Sequence, residues 1–207
     1  MKNQIRIPNK KKDRTSKYFE REIKQATQEL NKETDRQVDL MYHALGIALN
    51  RLYGWKQVRL EHLVHLSQEI YTECANQENT SMLKLCYEET GIELTQAYSD
   101  VDWKNVIYLN SVIYKGKPLT TPQWLQMRKN QKYWIAAQIE ACILLSLHRK
   151  EKFGDYRCGQ VHVAIEDIKA EFDFDVTKLK EECYKLTGFK IFEDFELFNE
   201  KERLTNG

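Results

Sequence analysis

From residue 16 to residue 52 the apolar positions fall mostly at steps of three and four. They are Phe19, Ile23, Ala26, Leu30, Val38, Met41, Leu45, Ala48 and Leu52, with a polar gap around Thr34. That period puts them on one stripe of a single long helix, with Ser16 placed to cap it. The run Tyr53-Gly54-Trp55 breaks the pattern. A second helix then follows over residues 56–70, carrying Val58, Leu60, Leu63, Val64, Leu66 and Ile70. After a polar loop, a short helix is expected to stop at Gly91, where glycine supplies the left-handed residue past a helix end.

Residues 142–191 repeat the outline of residues 44–94. Cys86-Tyr87-Glu88-Glu89-Thr90-Gly91 matches Cys183-Tyr184-Lys185-Leu186-Thr187-Gly188, with Cys, Tyr, Thr and Gly identical. Upstream, Leu49, Arg51, Arg59 and Ile70 pair with Leu147, Arg149, Arg157 and Ile168 at one fixed offset, and Trp55 pairs with Phe153. Ser81 and Thr177 are candidate N-caps for the two short helices. The expected fold is mainly α: two pseudo-repeated units, each a helix-turn-helix plus a short helix. Between them lies a connector open to a small hairpin, since Val106-Ile107-Tyr108-Leu109 and Val112-Ile113-Tyr114 are rich in β-branched and aromatic residues. A helix packed through its aromatic residues is the alternative there. Thr121-Pro122 marks the next helix start.

The boundaries that follow are a basic arm at 1–15, a first helical unit at 16–94, the connector at 95–121, a second unit at 122–191 and an acidic, aromatic tail at 192–207. Gly54, Gly91 and Gly188 are the structural glycines. The arm carries Lys10, Lys11, Lys12 and Arg14. The tail repeats phenylalanine every three residues, at Phe192, Phe195 and Phe198, among acids.

Composition narrows the function. The 207 residues carry a formal net charge of +1, without the basic excess that a phosphate-backbone binder usually has. Hydrophobic residues reach 42% and charged residues 30%, a globular balance. Five cysteines, an odd number with no CxxC pair, point to reduced thiols in a cytosolic protein. The N-terminus lacks the apolar core of a secretory signal, and no run has the length of a membrane span.

Chemistry is thinly signalled. His62 and His65 with Glu69 have helical metal-ligand spacing, yet histidines on a helix surface account for them, and no metal or cofactor is expected. Cys158 and His162, four apart, lack a nucleophile signature and suit a buried thiol beside a surface histidine. Phosphate-loop, zinc-protease and serine-hydrolase motifs are absent, so no catalytic residue is assigned. The helix, Gly-containing turn and helix around Gly54 share the outline of a DNA-binding helix-turn-helix. However, Lys56 and Arg59 stand there among Glu61 and Glu69.

The stretch Ala48-Leu49-Asn50-Arg51-Leu52-Tyr53-Gly54-Trp55-Lys56-Gln57-Val58-Arg59-Leu60 resembles a segment of uncharacterised small helical proteins of phages and prophages of Gram-positive bacteria. Lys56 stands where many of those proteins have a second glycine. The likeness covers at most about a quarter of the chain. It implies a mobile-element protein working in a bacterial cytoplasm, with no catalytic residues to carry over. The expected function is binding of a host protein or protein–nucleic acid complex, as by an inhibitor of a bacterial defence system of the anti-CRISPR kind. The alternative is a DNA-binding regulator or replication accessory protein, and an enzyme with an unfamiliar site comes third. Candidate contact residues are Lys10, Lys11, Lys12, Arg14, Lys56, Arg59, Phe192, Phe195 and Phe198. The polar-flanked seam of the first helix also suits pairing with a second copy.

Overall fold

In the computed structural model, residues 14–75, 80–97, 101–114 and 120–191 are described, and all their regular structure is helical. Helix α1 is Arg14–Tyr53, α2 Gln57–Ala75 and α3 Thr80–Thr90; a 3-10 turn follows at Leu94–Ala97. Then come α4 Trp103–Tyr114, α5 Thr121–Arg149, α6 Asp155–Glu171 and α7 Val176–Thr187.

The connector holds a helix and not a hairpin. Val106 and Leu109, three apart, are both buried, while Tyr108 is exposed and α4 packs on α5. β-propensity reflects the surface a side chain packs against, and here that surface is another helix. Four expected caps also shift. Ser16 lies inside α1, and Ser81 inside α3. Asp175, not Thr177, caps α7, its Oδ1 accepting from the backbone N–H of Thr177 at 2.9 Å and of Lys178 at 3.2 Å. At α5 the cap is Thr120, whose own N–H donates to Gln123 Oε1 at 2.9 Å, one residue earlier than Thr121.

The two similar halves are interleaved. The C-terminal part of α1 packs on α6 and α7, α5 packs on α2 and α3, and α1 and α5 pack on each other. The core is therefore built on two central helices, from Val38 to Leu49 and from Trp134 to Leu147, each gripped by the outer helices of the opposite half.

Local geometry recurs between the halves. Gly54 (φ 69°) and Lys152 (φ 58°) are both left-handed, and each is followed by an aromatic residue whose N–H donates back across the turn. Trp55 reaches the Leu49 carbonyl at 3.3 Å and Phe153 the Leu147 carbonyl at 3.0 Å. In the second half Lys152 thus takes the left-handed position that Gly54 holds in the first, while Gly154 caps α6 in an extended conformation. Thr90 and Thr187 are buried and play one role. Each hydroxyl donates to the carbonyl four residues back (Cys86, 2.7 Å; Cys183, 2.6 Å) and accepts from the N–H two residues on (Ile92, 3.3 Å; Phe189, 2.9 Å). Arg51 pairs with Glu171 at 2.6 Å, and Arg149 approaches Glu73 at 3.7 Å. These are the same two positions with the halves exchanged, the reciprocal pairing expected of a twofold relation.

Gly91 (φ 69°) and Gly188 (φ 77°) are left-handed, as expected of helix ends. A Cβ at Gly91 would meet nothing within 4 Å, whereas one at Gly188 would lie 3.3 Å from Gln57 Oε1. Gly91→Val is therefore expected to cost about 1 kcal/mol or somewhat more through backbone strain alone, and Gly188→Val more than that. Urea denaturation of the two variants gives the comparison. Equal costs, or none, would remove the contact argument or the cap argument respectively.

Candidate partner-binding surface

The two turns meet at one end of the molecule. Phe153 packs edge-on against Tyr53 (centroids 5.1 Å apart) and Trp55 (5.9 Å). Arg59 lies over the Trp55 ring at 3.9 Å, and Arg157 over Phe153 at 5.5 Å. Because Trp55 and Phe153 are buried under their own arginines, the starts of α2 and α6 sit beside the same aromatic cluster.

Next to this cluster are two open clefts. One, of about 700 Å³, is lined by Lys56, Gln57, Val58, Arg59, His62, Glu151 and Thr187. The other, of about 550 Å³, is lined by Glu89, His148, Arg149, Lys152, Phe153 and Gly154. Each lies between the turn of one half and the third helix of the other. On the first turns of α2 and α6, Val58 and Tyr156 are 80% and 78% exposed, at equivalent positions of the repeat. Tyr87 and Tyr184, in the last turns of α3 and α7, are exposed as well.

The basic side chains of this surface are turned to structural work. Arg59 bonds Glu151 at 2.6 Å, Lys56 donates to the Leu186 carbonyl at 2.6 Å, and Arg149 forks onto Glu89 at 2.8 and 2.5 Å. Glu89 is held below the usual carboxylate range, first by that hydrogen bond. Of the sequence candidates, the structure places Lys56 and Arg59 together in one cleft and Gly54 in the turn behind it. Lys10, Lys11, Lys12, Phe192, Phe195 and Phe198 lie outside the described residues, and Arg14 is the first residue of α1.

Two features were missed in the sequence. The exposed apolar pair Val58 and Tyr156 sits at matching repeat positions, where the helical period alone predicts Val58 on the apolar stripe. The second is a line of ionisable groups inside the helix bundle. Glu140 on α5 is fully buried, and its Oε1 lies 2.6 Å from His162 Nδ1 on α6. Further along α6, Glu166 bonds Lys169, which is 2% exposed, and Lys169 Nζ lies 3.6 Å from Met41 Sδ on α1. The signal was a single acid inside the apolar stretch Ile139-Glu140-Ala141-Cys142-Ile143. Cys158 faces the Leu144 and Phe153 carbonyls, not His162. All five cysteines are buried and free, and burial pushes the Cys86 thiol up to about 12. Among the described residues no group of three His, Cys, Asp or Glu could hold a metal ion, and no helix is long and apolar enough to cross a membrane.

No protein-family model matches the chain, and neither curated proteins nor solved structures give a match.

Proposed function

We propose that the protein is an accessory factor of a phage or other mobile element that acts by binding a host protein, as an inhibitor of a bacterial defence system would. The observation that carries this reading is the end of the molecule where the turns meet. It exposes Val58 and Tyr156 beside open clefts, while Lys56, Arg59 and Arg149 are spent on intramolecular bonds. An exposed apolar residue at a cleft suits a protein partner. A phosphate backbone needs cations free to replace its counterions. The resemblance of residues 48–60 to phage proteins supports the origin.

The test is a tagged pull-down from lysate of a Gram-positive host, with and without nuclease, comparing wild type with the Val58→Asp/Tyr156→Asp double variant. One discrete protein is expected to survive nuclease. The double variant should bind it at least about 30-fold more weakly, the cost of losing about 2 kcal/mol at an interface centre. Recovery of nucleic acid, with affinity falling steeply as salt rises, would favour the DNA-binding regulator instead.

A further inference from the structure

The line of ionisable groups along α6 has no counterpart in the other half. At the fixed offset of the repeat, Glu140, His162, Glu166 and Lys169 correspond to Tyr42, Val64, Gln68 and Tyr71. The related helix α2 is thus packed without an ion pair at these positions, so the fold does not require one. Burying charged groups is costly unless each is partnered, and such a chain where a neutral set serves elsewhere calls for another role.

The geometry is directional. His162, Glu166 and Lys169 fall at steps of four and three on α6, so they share one face. His162 reaches Glu140 on α5, and Lys169 reaches Met41 on α1. One end of the line is sealed, with Glu140 fully buried and its Oε2 without a hydrogen-bond partner, while the His162 side chain is 20% and Glu166 32% exposed. Solvent therefore reaches the imidazole, while the carboxyl behind it is closed off. With the imidazole charged, the Glu140 carboxyl faces a cation; with it neutral, the same carboxyl keeps one hydrogen bond and an unmet oxygen.

We propose that Glu140, His162, Glu166 and Lys169 form a proton-operated clasp that fixes α6 between α5 and α1 and loosens as the medium turns alkaline. The hydrogen bond to Glu140 raises the His162 pKa above its ordinary value of 6.5; Glu166 adds to that and Lys169 opposes it. A group raised on folding stabilises fully below its unfolded pKa, and the contribution is lost as pH climbs through the folded value. The window therefore opens above 6.5. The other shifted groups on or beside α6 lie outside that window. From α3, Cys86 is pushed up to about 12, and on α6 itself Cys158 to about 11. From α1, the Tyr53 hydroxyl, 3.4 Å from Gln160, is raised, and so is Arg51, which is bonded to Glu171. Buried His43, on α1 against Phe189, is lowered by burial, so its effect falls below 6.5 with the opposite sign.

The experiment uses the full chain. His162 is titrated by NMR, and amide exchange over α6 is followed between about pH 6 and about pH 9, after correction for the intrinsic rate. Expected results are a His162 titration above 6.5 and at least about a tenfold loss of protection over α6 as pH rises, with α2 unchanged. His162→Gln should abolish the pH-dependent part. Glu140→Gln should return the imidazole towards its ordinary value. A His162 titration at or below 6.5, equal protection at both pH values, or the same loss in His162→Gln would overturn the proposal. If Glu140→Gln does not fold, the wild-type titration and His162→Gln still decide.

Discussion

Gly46→Val should cost about 3 kcal/mol or more. Gly46 sits where α1 crosses α7. A Cβ there would lie 2.6 Å from Cys183 Sγ, with Leu60 Cδ1 at 3.5 Å and Phe189 Cδ1 at 3.7 Å closing the remaining sides. Cys183 has little room to retreat, because it is fully buried and its Sγ already lies 3.7 Å from Thr187 Oγ1. Glycine in a helix interior ordinarily costs about 1 kcal/mol relative to alanine, so the helix itself would welcome a side chain. Overpacking reverses that sign, since one misplaced methyl in a close-packed core costs about 1–3 kcal/mol and valine adds three carbons. The check is a double-mutant cycle by urea denaturation with Gly46→Ala and Cys183→Ala. Removing the sulfur should recover most of the loss in Gly46→Ala. Additive costs would mean that the crossing is not the cause.

Phe153→Ala is expected to cost about 3–5 kcal/mol, the range for truncating a buried aromatic side chain. Phe153 is 4% exposed and joins the two turns, touching Tyr53 and Trp55 from the first half while Arg157 covers it from the second. Its removal opens a cavity between the ends of both central helices and takes away two edge-to-face contacts, each worth about 0.5–1.5 kcal/mol beyond area. Tyr53→Ala, at a half-buried residue, should cost clearly less. Thermal or urea denaturation of both separates them, and similar small losses would show that the aromatic cluster is peripheral.

The helices were legible because their apolar residues kept a 3.6-residue period: α1 and α2 begin and end within about five residues of the expected places, and α5 begins at Thr121. Gly91 and Gly188 were readable for a different reason, since few residues other than glycine adopt positive φ easily. The connector was not readable. Val106, Ile107 and Val112 carry strand propensity, and only the flank of α5, remote in sequence, makes a helix of them. The interleaving was equally hidden. Arg51 and Glu171 are 120 residues apart, and nothing in either segment specifies the other. At the candidate surface, Lys56 and Arg59 were found by charge, but their commitment to Leu186 and Glu151 depends on the opposite half. Val58 fits the apolar stripe yet is exposed, because a hydrophobic period does not say which turn runs past the end of its neighbour.

Interleaving also sets a timetable for synthesis. The buried face of α1, from Val38 to Leu49, is covered by α6 and α7, and α7 is complete only when Thr187 has been added. At roughly 5–20 residues per second a ribosome needs on the order of ten seconds to travel from the end of α1 to the end of α7. Until then that face of α1 has at most the partial cover of α5 and α6. The growing chain is then a natural client for chaperones that hold apolar segments, and its yield in a cell should depend on how well that interval is guarded.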